Sequence, residues 1–193
     1  MPLDIVILGP PGAGKGTQAR KIAADRGIPH IATGEMLRAA IDAGTALGLR
    51  VKAIYDRGDL VPDDLMIDLI RERLEVDDTR PGFLLDGFPR TLHQAETLDG
   101  LMTELRRALS IVFDFQLPEE VAVGRLLGRA LEEGRSDDTS EVIRHRLRVF
   151  RTETEPLIAF YRSRGILVGV HADRSVGEVF AEIQEALDRA DAA

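Results

Sequence analysis

Leu3-Asp4-Ile5-Val6-Ile7-Leu8-Gly9-Pro10-Pro11-Gly12-Ala13-Gly14-Lys15-Gly16-Thr17 decides the fold of this chain. The run from Leu3 to Leu8 is too apolar for a strand with one wet face. Strands of that kind belong to parallel sheets whose crossover helices cover both sides. A helical pattern begins at Lys15, so the glycine-rich segment joins strand to helix, the context that a phosphate-binding loop requires. Glycines let the loop adopt positive φ and turn its N–H groups inward, and the N-terminus of the following helix adds partial positive charge. Lys15 contributes a compact ammonium, whereas a bare turn needs neither three glycines nor a lysine. The general pattern puts Ser or Thr directly after Lys. Here Gly16 intervenes before Thr17, which leaves metal ligation by that hydroxyl open.

Outward from this segment, short apolar runs alternate with amphipathic stretches along the whole length. Further strands are expected at Gly82–Asp86, Ser110–Phe115 and Gly165–Val170, with a weaker candidate at Ile28–Ala32. Helices are expected over 15–26, 34–43, 45–57, 63–75, 91–106, 118–132, 139–163 and 175–190. The alternation predicts an α/β three-layer sandwich around a five-stranded parallel sheet. The stretch between the second and third strands, about fifty residues, exceeds the ~12 to 30 that one crossover needs, so an insertion is expected over 32–61. A second break, Glu132-Glu133-Gly134-Arg135-Ser136-Asp137-Asp138, is too polar to pack and reads as a flap.

With 193 residues the chain amounts to one core with subordinate insertions. Hydrophobic residues at 44% and charged ones at 30% are ordinary for a globular domain and argue against disorder. The net charge of −8 repels nucleic-acid backbones, so no nucleic-acid partner is expected. The absence of Cys removes disulfides, cysteine nucleophiles and thiolate zinc sites, and His30, His93, His145 and His171 have no metal-ligand spacing. Without a basic leader or a long apolar span, neither export nor membrane insertion is expected, and the reading is cytoplasmic.

A cradle alone indicates only a nucleoside triphosphate or similar anion; kinases, ATPases, GTPases and passive sensors share it. Downstream, Thr33-Gly34-Glu35-Met36-Leu37-Arg38 opens a helix with Thr33 as N-cap. Arg38 opposes the macrodipole there, which is tolerable if both hold an anion; a solvated surface arginine is the alternative. Gly82-Phe83-Leu84-Leu85-Asp86-Gly87-Phe88-Pro89-Arg90 is a buried strand delivering an acid and then Arg90 at the carboxyl end, where doubly wound sheets bind ligands. Asp86 would face the Lys15 loop and hold Mg²⁺, directly or through water, or else cap the next helix. Arg125 and Arg129 share one helix face, and Arg135 and Arg146 flank the polar break, so four guanidinia converge. Arg146 falls on the packed side of its helix and needs a partner, either an anion or Glu153. Asp137 and Asp138 are open between hinge, water-mediated ligand and solvated charge.

Taken together these segments resemble the adenylate kinase family over essentially the full chain. The loop with its Lys-Gly-Thr ending, Thr33 to Arg38 (with Glu35 where the family often has Asp), Asp59-Leu60-Val61-Pro62, and Asp86-Gly87-Phe88-Pro89-Arg90-Thr91 followed by Gln94 all match in order. The resemblance implies reversible transfer from MgATP to AMP giving two ADP, in adenine nucleotide homeostasis. It implies that Gly12, Ala13, Gly14, Lys15, Gly16, Thr17, Arg125, Arg129 and Arg174 bind ATP. AMP would be bound by Thr33, Arg38, Asp59, Leu60, Val61, Gly87, Phe88, Pro89, Arg90, Gln94, Arg135 and Arg146. Lys15, Arg90, Arg129, Arg135 and Arg146 would be catalytic, with Asp86 on Mg²⁺. The break over 128–138 is similar to a short lid, and the missing cysteines exclude the zinc knuckle of long-lid relatives. A complete two-substrate cleft on one chain would act as a monomer. The competing readings are a pyrimidine monophosphate kinase, which Thr33 and Gln94 oppose, and a nucleotide sensor, which has less need for so many cations aimed at a transferring group.

Overall fold

The computed structural model describes residues 2–133 and 139–191. Five parallel strands run in the order β2-β3-β1-β4-β5: β1 Leu3–Leu8, β2 His30–Ala32, β3 Gly82–Asp86, β4 Ile111–Gln116 and β5 Leu167–His171. Successive side chains of β1 point to opposite faces, and both faces are dry. Ile5 and Ile7 pack with Ala19 and Ile22 of α1 (Lys15–Arg26) and with Val179 and Ile183 of α9 (Val176–Asp191). Val6 and Leu8 join the opposite layer. That layer includes α4 (Asp63–Leu74), α5 (Leu92–Glu104) and α8 (Pro156–Ser163). Each fully buried aliphatic of β1 contributes ~1.5–3 kcal/mol. The expected sandwich is therefore the observed one, and the β1–α1 junction falls where expected.

Between β2 and β3 lie α2 (Thr33–Asp42) and α3 (Ala46–Arg57), packed on each other. Their closeness depends on Gly48, because a Cβ there would stand 2.0 Å from the Ala40 carbonyl oxygen. After β4 come α6 (Glu119–Glu133) and α7 (Ser140–Val149), which share a small core of Ala122, Leu126, Ile143 and Leu147.

Several boundaries differ from expectation. The helix expected over 139–163 is broken: α7 gives way to a π-helical turn at Phe150–Thr154 before α8 starts at Pro156. Proline has no N–H to donate and its ring crowds the carbonyl four residues back, so one uninterrupted helix is not available. β2 is three residues long because only His30 to Ala32 find partners, opposite Leu84 to Asp86. Thr33, expected as an N-cap, is the first helical residue, and its hydroxyl donates to the Asp86 carbonyl oxygen at 3.3 Å. The register that sets Ala32 beside Asp86 brings the two together.

A buried ion pair ties the start of the sheet together. The Arg107 guanidinium donates to both carboxylate oxygens of Asp4, to the Thr79 carbonyl at 2.8 Å, and lies over the Phe83 ring. Burial pushes the Asp4 carboxyl up, against the opposing pull of Arg107.

Candidate active site

At the carboxyl ends of the strands a cleft of about 410 Å³ opens over the β1–α1 loop. Gly12 has φ +83°, and a Cβ on it would meet the Ala122 carbonyl oxygen at 2.8 Å. The loop and α6 are thus in direct backbone contact, which places Arg125 and Arg129 beside the loop. The Lys15 ammonium donates to the carbonyl oxygens of Gly9 at 2.7 Å and Pro10 at 2.9 Å. Burial pushes its pKa down to about 8; Asp86 opposes the shift, while Arg90 and Arg129 add to it.

Asp86 closes the loop from the β3 side, its Oδ2 lying 3.5 Å from where a Cβ on Gly16 would stand. His30 Nε2 is 3.3 Å from the same oxygen. Burial acts to raise the Asp86 carboxyl, but the His30 hydrogen bond and the Lys15 charge outweigh it and hold the group below the ordinary carboxylate range. An anionic Asp86 therefore faces the phosphate loop. Its alternative role as a helix cap is taken by Thr91, whose hydroxyl accepts from the Gln94 N–H at 3.2 Å. Among the described residues no group of three or more His, Cys, Asp or Glu could cage a metal. A single ionised carboxylate still suits Mg²⁺, which keeps most of its waters and takes few protein ligands.

Cations line the rest of the cleft. Arg38, Arg90, Arg125, Arg129 and Arg146 all face it. Arg90 Nε donates to the Gly87 carbonyl at 2.8 Å; burial pushes its pKa down, Asp86 opposes, and Arg146 pushes the same way as burial. Several guanidinia of like charge facing one cleft favour an incoming anion. Arg146 faces the cleft and the Tyr55 ring, 5.8 Å from the centroid, and Arg38 Nε donates to the Tyr55 hydroxyl at 3.3 Å. Arg125 Nη1 is anchored on the Ala172 carbonyl at 2.8 Å.

The expected residues thus gather with few exceptions. Gly12 to Thr17, Arg38, Asp59, Leu60, Asp86, Gly87, Pro89, Arg90, Arg125, Arg129 and Arg146 line the main cleft. Thr33, Val61 and Gln94 line an adjoining recess of about 50 Å³, with Leu37 and Met66 on its walls. Phe88 is buried in the core and Arg174 lies beside Glu182, so neither lines the cleft. Arg135, Asp137 and Asp138 fall outside the described residues.

Other participants carry no local motif. Tyr55 faces the cleft from α3 and His30 holds Asp86 from β2. Thr154 donates its hydroxyl to the Arg90 carbonyl at 2.9 Å from the π-helical turn. The Asp59 carboxylate meets His145 Nε2 at 2.6 Å and Arg57 Nε at 2.8 Å, linking the end of α3 to α7. His145 and then Arg57 hold the Asp59 carboxyl below its usual range. Only tertiary contact makes Tyr55, His30, Thr154 and His145 visible.

Comparison with known proteins agrees with this geometry. The sequence profile of one family, described as adenylate kinase, matches residues 7–166. An adenylate kinase of Thermobifida fusca is 48% identical over 185 residues, covering 96% of this chain and 98% of the relative. One from Thermus thermophilus is 49% identical over 183 residues, covering 95% and 96%. One from Geobacillus sp. is 42% identical over 212 positions, covering 96% and 98%. That alignment is longer than the present 193 residues, so the Geobacillus protein has segments that this chain lacks. A phosphate loop closed by an ionised Asp86, a rim of arginines and relatives matching end to end lead to one conclusion: the chain belongs to the adenylate kinase family and performs reversible phosphoryl transfer among adenine nucleotides.

Proposed function

We propose that the chain transfers the terminal phosphoryl group of ATP to AMP, giving two ADP, with ATP on the Gly12–Thr17 loop and AMP between α2, α3 and the turn after β3. The observation that carries this reading is the set of Lys15, Arg90, Arg129 and Arg146 around a single cleft that also contains Asp86. Loop N–H groups and the N-terminus of α1 would bind the donor phosphates, with Arg125 against the donor base. Arg38 and Arg90 would hold the acceptor phosphate, and Thr33, Leu60, Val61 and Gln94 its nucleoside. Asp86, through water, and the Thr17 hydroxyl are the groups that would hold Mg²⁺, which when bound neutralises charge on the donor phosphate oxygens.

No general base is needed. A phosphomonoester has its second pKa near ~6, so the AMP phosphate is already a dianion at neutral pH. Its oxygen attacks the terminal phosphorus, the bridging P–O bond breaks, and the leaving ADP takes up the electron pair. Lys15 and the arginines stabilise charge spread over the transferring group, with guanidinium forks matched to its oxygens. In this reading residues 32–61 would be the monophosphate-binding insertion and 128–138 a short lid, whose Arg135 would act on the transferring group. Their closure would keep water, the rival nucleophile, away from the phosphorus. A cleft complete within one chain supports a monomer.

The test is a coupled ADP-formation assay with Mg²⁺, ATP and a panel of monophosphates. AMP should be the preferred acceptor by a wide margin. Faster turnover of UMP or CMP would overturn the acceptor assignment, and nucleotide binding with no ADP formed would overturn the transfer itself.

A further inference from the structure

Behind Gln94, outside the recess that Gln94 lines, is a carboxylate that anchors the nitrogen of its amide while the Arg90 backbone N–H anchors the oxygen. Gln94 is 2% exposed. Its Oε1 accepts from the Arg90 backbone N–H at 2.7 Å, and its Nε2 donates to Asp63 Oδ1 at 2.7 Å. The second oxygen of Asp63 accepts from the Thr91 hydroxyl at 2.8 Å, so the carboxylate is itself held in place. A backbone N–H can only donate and an ionised carboxylate can only accept. Exchanging the amide oxygen and nitrogen would therefore set donor against donor at Arg90 and acceptor against acceptor at Asp63. The amide has one orientation.

That orientation has a chemical consequence. A primary amide offers two N–H donors and two lone pairs, and each anchor uses one. One N–H and one lone pair remain for the recess, in a fixed order. The Watson–Crick edge of a 6-aminopurine presents a donor at N6 and an acceptor at N1, and a 6-oxopurine presents the reverse. A freely flipping glutamine would serve both. The geometry points to Asp63 as a positioning residue that sets acceptor specificity, by holding Gln94 in the order that accepts a 6-aminopurine and rejects a 6-oxopurine. This rests on the proposed reading that the recess receives the acceptor base.

The test measures kcat and KM with AMP and with IMP, which differ at this edge, for wild type and for Asp63→Ala, Asp63→Leu, Asp63→Asn and Gln94→Ala. The wild type should prefer AMP by roughly 10³-fold or more in kcat/KM, because the wrong edge leaves buried polar groups unpaired. Asp63→Ala or Asp63→Leu should lower that ratio about tenfold or more, with KM for AMP raised about tenfold and kcat and KM for ATP within about threefold. Asp63→Asn retains an acceptor oxygen toward Gln94 and should keep the ratio within about threefold of wild type. An unchanged AMP:IMP ratio in whichever of the Ala and Leu variants folds would overturn the inference, as would loss of selectivity in Asp63→Asn as severe as in Asp63→Ala. If Gln94→Ala itself leaves KM for AMP and the ratio unaltered, it is the placement of the base that fails.

Discussion

Lys15 makes ATP binding depend on pH in a direction and window that can be worked out. Burial against the Gly9 and Pro10 carbonyls pushes the ammonium down to about 8 in the ligand-free protein. A bound polyphosphate favours the charged form and raises the pKa again, so ATP binding takes up a proton above that value. Affinity is fully present below about pH 8 and is lost as pH rises through it. If only the ammonium form binds, Kd rises about twofold at pH 8 and about tenfold at pH 9 relative to pH 7. The terminal phosphate, with a pKa near ~6, is about 90% ionised at pH 7, and its remaining ionisation would strengthen binding as pH rises, opposite in sign to the loss expected from Lys15. Calorimetric titration of the protein with a non-transferable ATP analogue, in buffers of differing ionisation heat, would read both the affinity and the proton uptake. Lys15→Arg keeps its charge at all these values and should flatten the profile, although its planar head does not reproduce the compact ammonium. A wild-type profile that is flat from pH 7 to 9, or a slope that survives in Lys15→Met, would refute the reasoning.

Three further outcomes follow from the same structure. Lys15→Met should abolish most turnover, by about 10²-fold or more, yet raise the melting temperature of the ligand-free protein near neutral pH, since it removes a charge that the fold disfavours; scanning calorimetry checks the second half. Gly87→Ala, with φ +87° and a Cβ set 2.6 Å from Thr33 Oγ1, should cost about 2–4 kcal/mol in stability and raise KM for AMP more than KM for ATP in steady-state kinetics. Arg107→Ala should destabilise by about 3–5 kcal/mol, roughly 6–20 °C in melting temperature, because Asp4 is left buried and unpaired. In that variant acidification should restore part of the loss, since a protonated Asp4 is cheaper to bury, and a thermal melt series from neutral to acid pH would show it.

What the sequence determined by itself is what depends on neighbours along the chain. The run Leu3–Leu8, apolar apart from Asp4, dictates a strand buried on both faces, and the glycines before Lys15 dictate a loop that can turn its N–H groups inward. Arg125 and Arg129 share a face because the helix repeat puts them there, and both do face the cleft. The order Asp86-Gly87-Phe88-Pro89-Arg90 likewise carried its strand end and arginine into the site, though Phe88 turned inward to the core. Tertiary structure alone decided the pairings between distant segments. His30 reaches Asp86 because two strands lie in register, Asp63 orients Gln94 across 31 positions, and His145 meets Asp59 across 86. Local periodicity cannot encode such contacts. Each depends on which surfaces the sheet order brings together, and a hydrogen bond is satisfied or refused only after the partner has arrived.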